Sequence, residues 1–209
     1  MIALPRLYPI LDASCFPEAL GLIAAAEELA AASATLIQYR NKSGNARVML
    51  EQALELRRQS RAGAPAPHLR LIMNDRADLC LAADFDGVHV GQDDLSPEAV
   101  RKIIGSDRWL GVSTHNPEQL READLTTADY LAIGPVFATS SKERPDPVVG
   151  LDGVRRARAL TRKPLVAIGG ITRANAKSVI DAGADSVAVI SDLLREPRKS
   201  AEEFFRILG

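Results

Sequence analysis

The sequence has little cysteine, few aromatic residues and no long apolar run. Its two cysteines, Cys15 and Cys80, have no CxxC or Cys/His spacing around them, which excludes a disulfide framework and argues against a zinc site. Aromatic residues are only 4%, so we expect a core of stacked aliphatic side chains. No apolar run approaches the roughly 18 residues of a membrane helix, and no secretory signal opens the chain. We therefore expect a cytoplasmic protein that does not bind a membrane.

The sequence also lacks an excess of either charge. It has 26 Lys and Arg against 27 Asp and Glu in 209 residues, a formal net charge of −1. A dedicated nucleic-acid binder normally carries a basic excess, so we expect no nucleic-acid partner. No linker or low-complexity segment divides the chain, and the length is compatible with one α/β barrel. We therefore predict a single domain over residues 1–209.

Short apolar runs rich in Val, Ile and Leu recur along the chain. Several are apolar at nearly every position, which is typical of strands buried on both faces of a parallel sheet. The predicted strands are 7–11, 35–39, 69–73, 87–90, 109–112, 130–133, 164–168 and 186–190. Segments between them have helical spacing, at 19–31, 46–59, 97–104, 117–123, 153–160 and 174–181. Ser96-Pro97 and Asn116-Pro117 are predicted helix starts.

Eight strand candidates in 209 residues leave about 26 residues for each strand-helix unit. Right-handed crossovers allow either an open doubly wound sheet or a closed barrel. The even spacing and the absence of a Gly-x-Gly-x-x-Gly motif after the first strand favour the barrel. The predicted fold is α/β, a single-domain (β/α)8 TIM barrel.

Polar residues follow directly on the apolar runs, where a βα barrel carries its active site. Asp75 and either Asp93 or Asp94 follow two neighbouring strands, whose axes lie about 4.8 Å apart. Two carboxylates that close repel each other unless a cation lies between them, and Mg²⁺ accepts one or two carboxylates together with water and phosphate oxygens. The basic side chains expected around the same mouth are Arg40, Lys42 and Lys142. Together they predict a site for a metal-bound diphosphate, although rim salt bridges are the alternative.

A second anion site is predicted at Gly169-Gly170 and Ile190-Ser191, because the loops after the seventh and eighth strands bind phosphate in many such barrels. The long loop at 138–149 is a candidate lid. His115 is the only histidine expected on this rim, and a proton-transfer role for it stays open. His89 lies inside the fourth strand and can face either side of the barrel wall, whereas His68 is expected at the opposite end.

These motifs, in this order, resemble the thiamine phosphate synthase family over about residues 8–191. The most specific are Gln38-Tyr39-Arg40-Asn41-Lys42, Asn74-Asp75-Arg76, Gly87-Val88-His89-Val90-Gly91-Gln92-Asp93-Asp94-Leu95, Gly111-Val112-Ser113-Thr114-His115, Gly134-Pro135-Val136-Phe137 with Thr139 to Lys142, and Ala167-Ile168-Gly169-Gly170-Ile171-Thr172. The resemblance implies an eight-stranded barrel that joins a hydroxymethylpyrimidine diphosphate to a thiazole phosphate, releasing pyrophosphate and thiamine phosphate. The expected partners are these two small substrates, and a homodimer is left open.

The resemblance also implies residue roles. Residues expected to hold the pyrimidine diphosphate are Gln38, Arg40, Lys42, Asn74, Ser113 and Lys142, of which Arg40, Lys42, Ser113 and Lys142 would act in catalysis. Asp75 and Asp94 would bind Mg²⁺, and the similarity is what selects Asp94 over Asp93. Residues expected to receive the thiazole phosphate are Thr139, Ser141, Gly170, Ile190 and Ser191.

One departure keeps alternatives open. The family usually has Glu between the Arg and Lys of the second-strand motif, where this chain has Asn41. If that Glu orients its basic neighbours, the diphosphate site is weaker here. A sister family of the same fold, the thiazole tautomerases, tends to lack the metal and diphosphate residues and uses a histidine where His115 stands. Asp75, Asp94 and Lys142 favour the synthase, and the charged rim argues against a non-catalytic phosphate binder.

Overall fold

Parallel strands form a closed barrel in the computed structural model of the chain, which describes residues 2–61, 69–139 and 146–209. The strands are β1 (Leu7–Asp12), β2 (Leu36–Arg40), β3 (Arg70–Asn74), β4 (Gly87–Val90), β5 (Trp109–Thr114), β6 (Tyr130–Ile133), β7 (Leu165–Ile168) and β8 (Ser186–Val189). They pair in chain order, and β8 returns to β1 through the register Leu7 to Val187. The predicted barrel is confirmed, and each predicted strand forms with ends shifted by one or two residues at most.

A helix follows each strand on the outside of the barrel in the described part of the chain. The helices are α1 (Ala19–Ala31), α2 (Ala46–Arg61), α3 (Ala77–Ala82), α4 (Pro97–Ile104), α5 (Pro117–Asp124), α6 (Gly150–Leu160), α7 (Ala176–Asp181) and α8 (Pro197–Leu208). The predicted helix starts are confirmed, since Ser96 Oγ accepts the Ala99 N–H at 3.3 Å and Asn116 Oδ1 accepts the Gln119 N–H at 2.9 Å. Helices α3 and α8 were not among the predicted segments.

Alternation along each strand separates two apolar layers. Inside the barrel lie Tyr8, Ile10, Leu36, Ile72, Tyr130, Ala132, Val166 and Ala188. The larger layer lies between strands and helices and includes the other β1 positions, Leu7 and Leu11. Because strand side chains alternate between the two faces, Gln38 lies on the inner face of β2 and Tyr39 on the outer face. This alternation decides which polar residues reach the barrel mouth.

Three aspartates stand directly before even-numbered strands at the N-terminal end of the barrel. Each pairs with an arginine of a helix at 2.7 or 2.8 Å, and these N-terminal pairs are Arg57–Asp86, Arg101–Asp129 and Arg158–Asp185. Each carboxylate also accepts a backbone N–H from the first or second residue of the preceding strand, at Leu71, Leu110 and Leu165. The pairs therefore fasten strand starts to the helical layer.

Some predictions fall outside the described residues. His68 lies in the segment 62–68, and most of the candidate lid lies in 140–145. The prediction that residues 1–209 form a single domain stays a prediction for the same reason. Within the described ranges, no helix combines the length and the apolar character needed to cross a membrane.

Candidate active site at the barrel mouth

The C-terminal ends of the strands surround a cavity of about 420 Å³. Its apolar floor includes Ile10, Ala132, Val166 and Ala188 from the inner layer. The predicted site residues that line it are Gln38, Arg40, Lys42, Asn74, Asp75, Asp94, Ser113, Thr139, Gly170, Ile190 and Ser191. Ser141 and Lys142 lie outside the described residues. Every predicted site residue that the structure describes therefore faces one cavity.

Two carboxylates approach each other on one side of this cavity. Asp75 follows β3 in the left-handed region, at φ 63°, a conformation that costs a non-glycine residue about 1 kcal/mol or more. Its backbone N–H donates to the His89 carbonyl at 2.8 Å, and the Asp94 carboxylate accepts the Gly91 N–H at 2.8 Å. Burial raises the pKa of the Asp75 carboxyl, the Lys42 ammonium opposes that shift, and the nearby Asp94 carboxylate adds to it. Such a pair of oxygen donors suits a divalent cation.

Cationic side chains stand beside the carboxylates. Lys42 Nζ lies 2.5 Å from Asp75 Oδ2, with 54% of its side chain exposed. Arg40 forms an ion pair with Asp12, which follows from the register that sets these two residues side by side on β1 and β2. Asn74 Nδ2 is buried and has no hydrogen-bond partner among the described residues. A buried donor without a partner is costly, so Asn74 is poised to bind an anionic ligand.

Asn41 does not take part in this cationic arrangement. Its amide donates to Tyr39 OH at 3.1 Å and to Gln52 Oε1 at 3.0 Å, and its Oδ1 accepts the Ser43 N–H at 2.8 Å. It therefore lies on the helix side of the barrel wall, as the alternation along β2 requires. The basic side chains that flank Asn41 are oriented by Asp12 and Asp75 instead. These contacts give no support to the concern that Asn41 weakens the site.

A chain of buried polar groups crosses the barrel beneath the cavity. Gln38 Nε2 donates to Tyr8 OH at 3.2 Å, and Tyr8 OH lies 2.9 Å from Tyr130 OH. His89 Nδ1 lies 3.1 Å from Tyr130 OH, and His89 Nε2 lies 2.8 Å from Ser113 Oγ. His89 therefore faces the barrel interior, which the sequence left undecided. We refer to these five residues as the buried chain.

Burial keeps the groups of the buried chain neutral. It lowers the pKa of His89 to about 4, and the negative charge of Asp94 opposes this shift only in part. Burial also raises the pKa values of Tyr8 and Tyr130 well above the ordinary tyrosine value. A Cβ on Gly111 would lie 2.2 Å from Tyr130 Cζ and 2.4 Å from His89 Nδ1. The side chains of the buried chain therefore fit only with glycine at this position. No role was predicted from the sequence for Tyr8 or Tyr130. The one feature that could have indicated their importance is a hydroxyl group within an aliphatic strand, because a buried hydroxyl needs a hydrogen-bond partner.

A backbone carbonyl orients His115 on the rim of the barrel. His115 Nδ1 lies 2.6 Å from the Gly134 oxygen. Because a carbonyl oxygen can only accept, Nδ1 carries a hydrogen and donates it to Gly134. His115 Nε2 lies 3.5 Å from Asp146 Oδ2 at the edge of the cavity. The ring thus faces the cavity, and nothing in the geometry assigns it a proton-transfer role.

Gly169 and Gly170 bring the remaining predicted residues to the opposite side of the cavity. Both have left-handed backbones, with φ 97° and 64°. A Cβ on Gly169 would lie 2.5 Å from Pro135 Cβ, and one on Gly170 would lie 2.5 Å from the Ala138 oxygen. The loop after β7 can therefore pack against the loop after β6 only with glycine at both positions. This packing places Gly170 and Thr139 on the same wall.

Comparisons with known proteins find relatives over nearly the whole chain. The family model described as thiamine monophosphate synthase matches residues 7–193. The chain is 61% identical to the thiamine-phosphate synthase of Koribacter versatilis, covering 99% of this chain and 97% of that protein. It is 46% identical to the thiamine-phosphate synthase of Chloroflexus aurantiacus, covering 89% and 83%. The solved thiamine phosphate pyrophosphorylase of Pyrococcus furiosus superposes with a TM-score of 0.84 at 35% identity, covering 97% and 95%.

Proposed function

The chain belongs to the thiamine monophosphate synthase family, and on that premise we propose that it joins a hydroxymethylpyrimidine diphosphate to a thiazole phosphate. The products are thiamine phosphate and pyrophosphate, so the enzyme is a transferase. One structural observation carries the proposal beyond the family name. A single cavity holds two close carboxylates, two basic side chains and a buried amide donor without a partner in the described part of the chain.

The reaction demands stabilisation of negative charge more than a strong base. The bond between the methylene carbon and the diphosphate oxygen breaks, and its electrons leave with pyrophosphate. The thiazole nitrogen donates its lone pair to the methylene carbon, so no proton has to be removed. Arg40, Lys42 and the predicted Lys142 would stabilise the departing charge, while Asn74 and Ser113 would donate hydrogen bonds to it. Preorganised donors of this kind contribute several kcal/mol to such steps.

The donor set of Asp75 and Asp94 fits Mg²⁺. Both are carboxylates. Burial raises the pKa of Asp75 and the nearby Asp94 charge adds to that rise, and a cation between the two carboxylates would relieve their repulsion. The described residues contain no group of three or more His, Cys, Asp or Glu that could hold a metal ion. A two-carboxylate site matches Mg²⁺, which completes its coordination with water and phosphate oxygens. When bound, the ion would neutralise charge on the diphosphate and on the pyrophosphate that leaves.

The thiazole phosphate would bind on the opposite wall. Thr139, Gly170 and Ser191 line that part of the cavity with Ile190, and the predicted Ser141 belongs to the same loop as Thr139. Backbone N–H groups after β7 and β8 are suitable phosphate donors in this fold. This arrangement would place the two substrates on either side of the apolar floor, with the reacting carbon and nitrogen between them.

The direct test supplies purified protein with both substrates, with and without Mg²⁺, and quantifies thiamine phosphate and pyrophosphate. We expect equimolar formation of both products only with the metal. Each substrate alone is the control for hydrolysis. If neither product forms while a thiazole carboxylate phosphate is isomerised, the chain is a tautomerase that uses His115 and the proposal is wrong. A cytoplasmic location and a homodimer stay predictions.

A further inference from the structure

We propose that the buried chain is a positioning device that turns the Ser113 hydroxyl hydrogen towards the cavity when a ligand N–H group binds Gln38. The buried chain would thereby couple recognition of the pyrimidine ring by Gln38 to the hydrogen bond that Ser113 donates to the departing diphosphate. The inference rests on the proposed function and adds positioning roles for Tyr8, Tyr130 and His89, whose polar atoms bond one another and Ser113.

The direction of the chain follows from counting hydrogens. Gln38 Nε2 donates to Tyr8 OH, so the single Tyr8 hydrogen is free to donate to Tyr130 OH. The Tyr130 hydrogen then goes to His89 Nδ1, and a neutral imidazole that accepts at Nδ1 carries its proton at Nε2. His89 Nε2 consequently donates to Ser113 Oγ at 2.8 Å. The Ser113 hydrogen then has no acceptor left within the buried chain, and since Ser113 lines the cavity it is available to a ligand there.

The opposite direction needs only a rotated Gln38 amide. If Gln38 Oε1 accepted from Tyr8, each later hydroxyl would reverse, His89 would carry its proton at Nδ1, and Ser113 would donate to His89. Ser113 would then offer the cavity an acceptor, which repels an anionic leaving group. In the observed orientation Gln38 Oε1 has no hydrogen bond within the described residues and lines the cavity. A ring amino group that donates to this oxygen selects the productive direction.

Packing around the chain makes such coupling effective. Tyr8 and Tyr130 are each no more than 1% exposed, and His89 is 8% exposed, so water has little access to compete for these hydrogen bonds. The rings of His89 and Tyr130 lie 5.5 Å apart, and those of Tyr8 and Tyr130 lie 6.1 Å apart at 68°. Hydrogen bonds in series polarise one another in such a setting. The buried chain therefore has two hydrogen-bonding directions in which its internal donors and acceptors are paired, and few other arrangements.

The test is a double-mutant cycle between Tyr130 and Ser113 in the full-length protein. Tyr130→Phe removes one hydroxyl and keeps the ring, and we expect kcat to fall about tenfold while KM for the pyrimidine diphosphate changes less than about threefold. In a Ser113→Ala background the same substitution should change kcat less than about twofold. Tyr39→Phe is the matched control, because Tyr39 is a buried tyrosine whose hydroxyl bonds Gln52 on the helix side; it should leave kcat unchanged.

A second pair of variants guards against unfolding. His89→Gln can accept from Tyr130 and donate to Ser113, so it should retain most of the activity that His89→Leu loses, with unfolding by urea as the check on both. Equal loss from Tyr130→Phe in both Ser113 backgrounds would overturn the proposal, as would equal losses from the two His89 variants. An inactive wild-type enzyme would instead overturn the proposed function, so the two failures are distinguishable.

Discussion

The two ends of the barrel use the same ion-pair chemistry for different purposes. At the N-terminal end, the Asp129 carboxylate accepts one hydrogen bond from the Arg101 guanidinium at 2.7 Å and one from the Leu110 N–H at 2.8 Å. Arg101 also donates to the carbonyls of Gly105 and Arg108. The other two N-terminal pairs repeat this arrangement. Each carboxylate is satisfied by the protein itself, so these pairs contribute to stability, the usual role of this end of the fold.

At the mouth, the corresponding pairs are left incomplete. Asp75 combines a left-handed backbone with a pKa raised by burial and by a neighbouring carboxylate, and its partner Lys42 is half exposed. Asn74, one residue earlier, has a buried Nδ2 without a partner in the described chain. The N-terminal end also has an unpartnered buried atom among its described residues, Arg57 Nε, and left-handed residues at Ser33 and Asp84. Only at the mouth do such groups line the cavity, as Asn74 and Asp75 do, which indicates that stability is given up there for binding. The comparison therefore separates residues that maintain the barrel from residues that await a ligand.

The largest expected effect is a loss of activity at the mouth with little change in the stability of the fold. Asp94→Asn keeps an oxygen that can accept the Gly91 N–H but removes the charge. We expect kcat/KM to fall by about 10²–10³, because transition-state charge loses its metal support. The free energy of unfolding, from urea denaturation, should change by less than about 1 kcal/mol. The neighbouring Asp93→Asn is the matched control and should retain most activity; equal losses would remove the preference for Asp94.

The next effect is a loss of stability with activity retained, and it concerns an ion pair at the N-terminal end. Asp129→Ala leaves Arg101 without its carboxylate and the Leu110 N–H without its acceptor. We expect a loss of about 2 kcal/mol in the free energy of unfolding, measured in urea, with turnover per folded molecule unchanged. Glu51→Ala, which breaks the exposed pair with Arg47, should cost less than about 0.5 kcal/mol. Reduced turnover in the folded Asp129 variant would show that the two ends are not separable.

A pH series sharpens the contrast, because His89 is a buried titratable group beneath the mouth. Its pKa of about 4 in the folded chain lies below the roughly 6.5 of an unfolded histidine. Above pH 6.5 both states are neutral, and as the pH falls towards 4 only the unfolded state gains a proton, so stability declines. Between pH 7.5 and 5 this decline amounts to about 2 kcal/mol.

The measurement compares urea unfolding of wild type and His89→Gln at both pH values. The difference in stability between the two pH values should be smaller in the variant by that amount, since the other titrating groups are shared. An unchanged pH dependence in His89→Gln would contradict the low pKa.

Local signals were enough to predict the barrel and the residues around its mouth. Apolar runs mark the strands, and the polar residue that ends each run must lie on the C-terminal rim once the barrel closes. Helix α3 was not predicted because six residues are too few to show a helical period. The inward direction of His89 was not predicted because the sequence of one strand does not reveal which of its faces is enclosed by the barrel. The pairing of Arg40 with Asp12 depends on the register between β1 and β2, which no single strand encodes.

The smallest expected effect concerns Asn41, where the chain departs from the family pattern. Its side chain bonds Tyr39, Gln52 and the Ser43 N–H on the helix side, while the mouth cations are held by aspartates. Asn41→Ala should therefore cost about 1 kcal/mol of unfolding free energy and change kcat/KM less than about threefold. Asn41→Glu, which restores the family residue, should not raise activity. An increase of tenfold or more would mean that this position reaches the diphosphate through Arg40 or Lys42 after all.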